Sequence, residues 1–163
     1  MANDGSIVAL CEEAIVSAIE TADEDGLFDR VEQYDGTKDE APTRIVDDIF
    51  QTAKRVAVVF ASGAQVRDES ADGVVVGTEY KVLIGVKNLR PLASRCGLSG
   101  TEPGVHLLRE IVEGALHNVH LEVSNDRKAT EVCKYVGFDM IWEKATEQIL
   151  ELRFAVPEVV PAT

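Results

Sequence analysis

The clearest apolar repeat in the chain lies near its start. Ile7, Leu10, Cys11, Ala14, Ile15, Ala18 and Ile19 recur at i, i+3, i+4, i+7, i+8, i+11 and i+12, while Glu12, Glu13, Ser17 and Glu20 fill the opposite side. This pattern predicts an amphipathic helix over 6–20 with Ser6 as its N-cap. An acidic turn follows at 21–26. The weak alternation of 27–34 predicts a short edge strand, and DGTKDEAPT (35–43) a polar loop. Residues 43–52 predict a short helix with Ile45, Val46, Ile49 and Phe50 on one side.

The period then changes. RVAVVFASG (55–63) is apolar at nearly every position from Val56 to Phe60, the mark of a central strand covered on both faces. After a charged turn, RDESADG, residues 74–87 alternate: Tyr80, Val82, Ile84 and Val86 share one face, and Glu79, Lys81, Gly85 and Lys87 the other. The short connection predicts antiparallel pairing of these two strands. A long polar loop, 88–103, holding Arg90, Arg95, Gly97 and Gly100, leads to a helix over about 104–117. That helix has a stripe of Val105, Leu108, Ile111, Val112, Ala115 and Leu116, with Asn118 positioned to end it. Residues 119–124 predict a strand, RKATEVCKYV a helical turn, and 137–156 a hairpin in which Phe138, Met140 and Trp142 alternate against Leu150, Leu152 and Phe154. The class implied is α+β: an antiparallel sheet of about four strands with helices packed on one face. It forms one domain over 1–157, with a flexible tail at 158–163.

Charge narrows the partners. The formal net charge is −13, and residues 1–40 carry twelve acids against two bases. Such a surface repels nucleic acid and anionic membranes, so no sequence-specific nucleic-acid binding is expected. The longest apolar runs fall well short of the ~20 residues a membrane helix needs, and MANDGS lacks the features of a secretory signal. Cys11, Cys96 and Cys133 form no close pair, which fits synthesis in a reducing compartment. His117 and His120 have a helical spacing, but the helix is expected to end between them, so no metal site is expected.

Two resemblances bear on function. HLEVSNDRKATEVCKYVGF (120–138) resembles the second conserved motif of acetyl-CoA-dependent N-acetyltransferases, and the strand, glycine loop and helix before it have the outline of that family's pyrophosphate cradle. The spacing departs from the family: Gly97, Gly100 and Gly104 stand three and four apart, Glu102 brings the wrong charge, Asp126 replaces an Asn, and Cys133 occupies the tyrosine position. The second resemblance covers nearly the whole chain. The order IVALCEEAIVSAIE, RVAVVFASG, VLIGVKNLRP, GVHLLREIVEGALHN and ILELRFAV is similar to the small tail protein of Mu-like phages and prophages. Its landmarks are Asn88, Leu89, Arg90, Arg95, Gly97, Leu108, Ala115 and Leu116, and its departure is the longer segment around 119–135.

That second resemblance implies a structural virion protein, a tail terminator or tail completion protein with no catalytic residues, cofactor or metal. It would form a hexameric ring on the tail tube, with tube, sheath and neck or head-completion proteins as partners and DNA passing through. Six copies at −13 each make −78, which would repel DNA in the channel. A closed ring of this kind needs two different patches per subunit. The expected strand edges are the 74–87 strand and the final hairpin, and the expected interface residues are Glu79, Lys81, Lys87, Asn88, Arg90 and Arg95.

Overall fold

The computed structural model describes residues 6–34, 40–70, 73–88, 104–121, 123, 128–129, 132–144 and 146–161. The first helix, α1 (Ile7–Ala22), begins as its sequence dictates: the Ser6 hydroxyl accepts a hydrogen bond from the Ala9 amide at 3.0 Å. Ile7, Cys11, Ile15 and Ile19 are buried. At its end the two carboxylate oxygens of Asp23 accept from the amides of Leu27 (2.8 Å) and Phe28 (2.9 Å), with Gly26 in the left-handed region at φ 65°. This turn feeds β1 (Arg30–Gln33), which leads to α2 (Ala41–Asp47) and a 3₁₀ turn, Ile49–Gln51.

Three long strands form the centre: β2 (Arg55–Ser70), β3 (Gly73–Lys87) and β6 (Glu147–Pro161). β2 pairs antiparallel with β3 from Arg55↔Val86 to Ser70↔Gly73, and β3 pairs antiparallel with β6 from Gly73↔Pro161 to Lys87↔Glu147. The outer side of β6 carries β5 (Lys134–Lys144) and, further up, the two-residue β4 (Lys128–Ala129). The remaining helix, α3 (Val105–Leu116), packs beside α1. It ends where the sequence indicated: Asn118 has φ 62°, donates its amide to the Cys133 carbonyl, and accepts a hydrogen bond from the Lys134 ammonium.

The class is α+β, as the sequence implied, and the finer architecture departs in instructive ways. Among the described residues the sheet has six strands, and β1 runs parallel to β2, Arg30↔Val56 through Gln33↔Val59. Parallel neighbours need a crossover, and here the crossover carries α2. That places α2 on the face opposite α1 and α3, so the helices do not all lie on one side. Val56, Val58, Phe60, Leu83 and Ile149 meet Ile45, Ile49 and Phe50 on the α2 side, while Ala57, Val59, Tyr80, Val82, Ile84, Leu152 and Phe154 face α1 and α3. The doubly covered apolar run of β2 is explained by this pair of cores. Gly85 permits the close approach of α2: a Cβ there would lie 3.1 Å from Ile45 Cγ2 and 3.1 Å from Phe50 Cζ.

Further corrections concern β2 and the C-terminal part. The segment RDESADG is no simple turn, because β2 continues through Ser70 past a bulge between Ala61 and Gly63. Residues 119–124 contribute only an isolated bridge, Val119↔Cys133, among the described residues. The expected helical turn in RKATEVCKYV is absent where that segment is described, since Lys128–Ala129 and Lys134 onward are strand. The stretch expected as a loose tail belongs to the sheet up to Pro161, held by the ladder with β3.

Candidate assembly surface

The two cores occupy only part of the strands. Call the end carrying Arg55, Val86 and Gln148 the lower end. α2 covers the lower third of its face. Above it, that face becomes a ladder of polar side chains across four strands. The Ser62 hydroxyl donates to Glu79 Oε1 at 2.7 Å; Lys81 Nζ lies 3.4 Å from Glu151; Arg153 lies 3.5 Å from Glu151 and hydrogen-bonds Asp139. The Asp139 carboxylate is the first cause holding the Arg153 guanidinium above its ordinary value. Pairs of this kind, partly exposed, contribute little stability individually, but they fix the face as charged and water-compatible.

Of the residues the sequence singled out, Glu79 and Lys81 belong to this ladder, paired within the chain. Lys87 and Asn88 stand at the lower end, where their amides donate to the Lys54 and Thr146 carbonyls at 2.8 Å each. Six residues of strand separate Lys81 from Lys87, roughly 20 Å. Arg90 and Arg95 lie outside the described residues. The structure therefore does not gather the described four into one site.

The strand edges also differ from expectation. β3 is flanked by β2 and β6 along its whole length, so its backbone is unavailable to a neighbour. One free edge is on β2; the other is on β5, the first arm of the expected final hairpin. β1 pairs with β2 only up to Val59, and Tyr34 donates one more bond to Val59. The next outward amide, Ala61, donates to Glu12 Oε2 at 2.7 Å, and Glu12 Oε1 accepts from Gln33 Nε2 at 3.1 Å. Above this plug, positions 63–70 of β2 pair with β3 but have no strand on their outer side among the described residues. On the opposite flank, the chain at 117–119 covers the start of β5: Asn118 and Val119 bond Cys133, and His117 Nδ1 accepts from the Tyr135 amide at 3.2 Å. Beyond it, 136–144 of β5 is the second edge, with β6 on its inner side and no strand on its outer side among the described residues.

A cluster missed in the sequence borders this second edge. On α3, His106, Arg109, Glu113 and His117 recur at i, i+3, i+7 and i+11, a stripe that the spacing could have disclosed. Arg109 NH1 reaches both Glu113 oxygens at 2.8 Å and the guanidinium lies 4.6 Å above the Phe138 ring centroid. Tyr135 sits beside them, its phenol pushed up to about 12 by loss of water and then by its hydrogen bond to Glu113. No group of His, Cys, Asp or Glu among the described residues has metal-binding geometry. Burial pushes the Cys133 thiol up to about 12, which keeps it protonated and inert.

Comparison with known proteins adds one fact. No family model matches the chain, and no curated relative matches it. Among solved structures it shares its fold with a chain of the virion of a native gene transfer agent (GTA) particle, at TM-score 0.55 and 14% identity, over 96% of this chain and 100% of that one.

Proposed function

We propose that the chain is a structural component of a phage-type virion, a tail terminator or tail completion protein, and that it carries out no catalysis. The observation that carries this reading is the fold shared from end to end with a virion chain, with neither chain much longer than the matched part. The sheet's two different free edges supply what a ring of identical subunits needs, a heterologous contact that closes on itself. In this reading the ring has six copies, sits on the tail tube, and meets tube, sheath and neck or head-completion proteins. Lys87 and Asn88 at the lower end of β3, and Arg90 and Arg95 in the sequence that follows, contact those proteins; Glu79 and Lys81 present the polar sheet face. The acidic net charge keeps passing DNA from adhering.

The test is assembly. The purified chain, alone and co-expressed with phage tail tube and sheath proteins, is measured by light scattering and viewed by negative-stain microscopy. Rings, or capped tubes of uniform length, are the expected result. A monomer in every combination sinks the reading. Arg90→Glu is expected to lower tail yield while leaving the melting temperature unchanged. Calorimetry with acetyl-CoA is expected to give no heat; micromolar binding would restore the acetyltransferase resemblance.

A further inference from the structure

On β2 and on β5, covered edge gives way to free edge at a side chain. On β2 the Ala61 amide donates to Glu12 Oε2 at 2.7 Å. On β5 the Tyr135 amide donates to His117 Nδ1 at 3.2 Å. The second arrangement follows from how α3 stops. His117 is the C-cap, already extended at φ −67° and ψ 125°, and its amide still donates to the Glu113 carbonyl at 2.9 Å. Asn118 then turns through φ 62°, which brings Val119 opposite Cys133. The Asn118 amide donates to the Cys133 carbonyl at 2.9 Å, and the Cys133 amide to the Val119 carbonyl at 2.8 Å. Two residues along β5, the imidazole stands in for the carbonyl that a paired strand would offer to Tyr135.

The two plugs differ in what a proton does to them. A carboxyl group keeps an acceptor oxygen whether or not it is protonated, whereas an imidazolium donates from both nitrogens and accepts at neither. The Tyr135 contact therefore requires the neutral ring with its hydrogen on Nε2. Histidine is the side chain that ordinarily changes charge between about pH 5 and about pH 8. We infer that His117 is a proton-operated latch on the β5 edge: its protonation turns Nδ1–H against the Tyr135 amide, and the ring swings away, uncovering that amide beside the exposed Val136. The groups around the ring are compatible with this. On α3, one turn back, Glu113 is held by Arg109 NH1 at 2.8 Å to both its oxygens. On β5, the Tyr135 ring stands edge-on to the imidazole at 6.4 Å, and the Lys134 ammonium is held by Asn118 Oδ1 at 2.6 Å. His120 lines the groove beside α1. The C-terminal end of α3 carries partial negative charge, which favours an imidazolium turned toward it. The bonds of Asn118 and Val119 to Cys133 involve no imidazole, so the latch frees one amide and leaves the fold in place. It belongs to the single chain and operates whether or not copies form a ring.

The experiment is amide hydrogen exchange followed by NMR on the full chain at about pH 8 and about pH 5, with each amide's protection taken relative to an unstructured chain at the same pH. Tyr135 is expected to lose about tenfold in protection at the lower pH while Ala61 keeps its own. Nitrogen spectra of the parent at the higher pH are expected to show His117 protonated on Nε2 alone. His117→Asn places an amide oxygen near the position of Nδ1 and gains no proton, so Tyr135 is expected to be equally protected at both pH values. His117→Ala is expected to leave Tyr135 weakly protected at both. Equal Tyr135 protection at the two pH values in the parent overturns the inference. So does the opposite tautomer, or a loss of the same size at Ala61, which marks a general softening of the fold. A pH response that persists in His117→Asn also overturns it. The parent measurements decide the matter even where a variant fails to fold.

Discussion

The lower and upper halves of β2 and β3 belong to the same two strands in the same ladder, yet their surroundings differ. From Val56 to Phe60 every β2 side chain is covered, by α2 and the 3₁₀ turn on one face and by α1 and α3 on the other. Above Ser62, positions 63–66 and Glu69 of the same strand are exposed, and the neighbours Val74, Val75 and Val76 are only half-buried. The ladder continues without the packing. Backbone bonds alone contribute little net stability, so the body is stable through burial, whereas the upper arm extends from it and gains further burial only by meeting something else.

The sharpest way to break the body is Ile84→Ala, which empties a wholly buried position between the sheet and the helices. It is expected to lower unfolding free energy by about 3–4 kcal/mol in urea titration; a loss under about 1 kcal/mol contradicts the packing described. The body should also weaken in alkali. Cys133 is raised from 9.0 to about 12, chiefly by burial, and burial also raises Tyr80. Both stay protonated in the folded chain while the unfolded chain ionises. Stability is therefore complete below pH 9 and falls as pH rises toward 12. A flat urea midpoint between pH 8 and 11 argues against this. At the boundary of the two halves, Glu12→Ala leaves the Ala61 amide without its acceptor, and a loss of about 1–2 kcal/mol is expected, with faster hydrogen exchange at Ala61 than in the parent. Smallest of all is Val66→Asp on the arm, expected within about 0.5 kcal/mol of the parent. A large loss there means the arm is already packed in the monomer.

The body was legible because burial writes itself into period. Val56 to Phe60, the Tyr80–Val86 alternation, the α1 stripe, the Ser6 cap and the Asn118 stop all appear in the structure as the sequence indicated. The arm was not, because a half-exposed strand need not alternate: RDESADG resembles a turn, and only its ladder partners reveal it as strand. Pro157 and Pro161 likewise suggested a loose tail, although β6 continues through both. The parallel β1 was hidden because four residues carry no period, and orientation follows from the α2 crossover rather than from local sequence. For the candidate surface, Glu79 and Lys81 were correctly placed on the face away from α1 and α3, but their pairing to Ser62 and Glu151 depends on β6 lying next to β3. The final hairpin does supply an edge, in β5, but the 74–87 strand was misassigned for the same reason: which strand is central is a property of the whole sheet.

The free edges stand at different heights, and this has a geometric consequence. Val66 is level with Val76 on β3, whereas Gly137, through Arg153, is level with Lys81, five residues lower. That drop is about 17 Å along the strands, while four strand spacings from β2 across β3, β6 and β5 to the next β2 span about 19 Å. Copies joined edge to edge would repeat this offset at every junction. If copies joined in this way formed a ring, closing it level rather than as a climbing spiral would incline the strands by roughly 40° to the ring axis, within the tilt at which closed β-barrels run their strands.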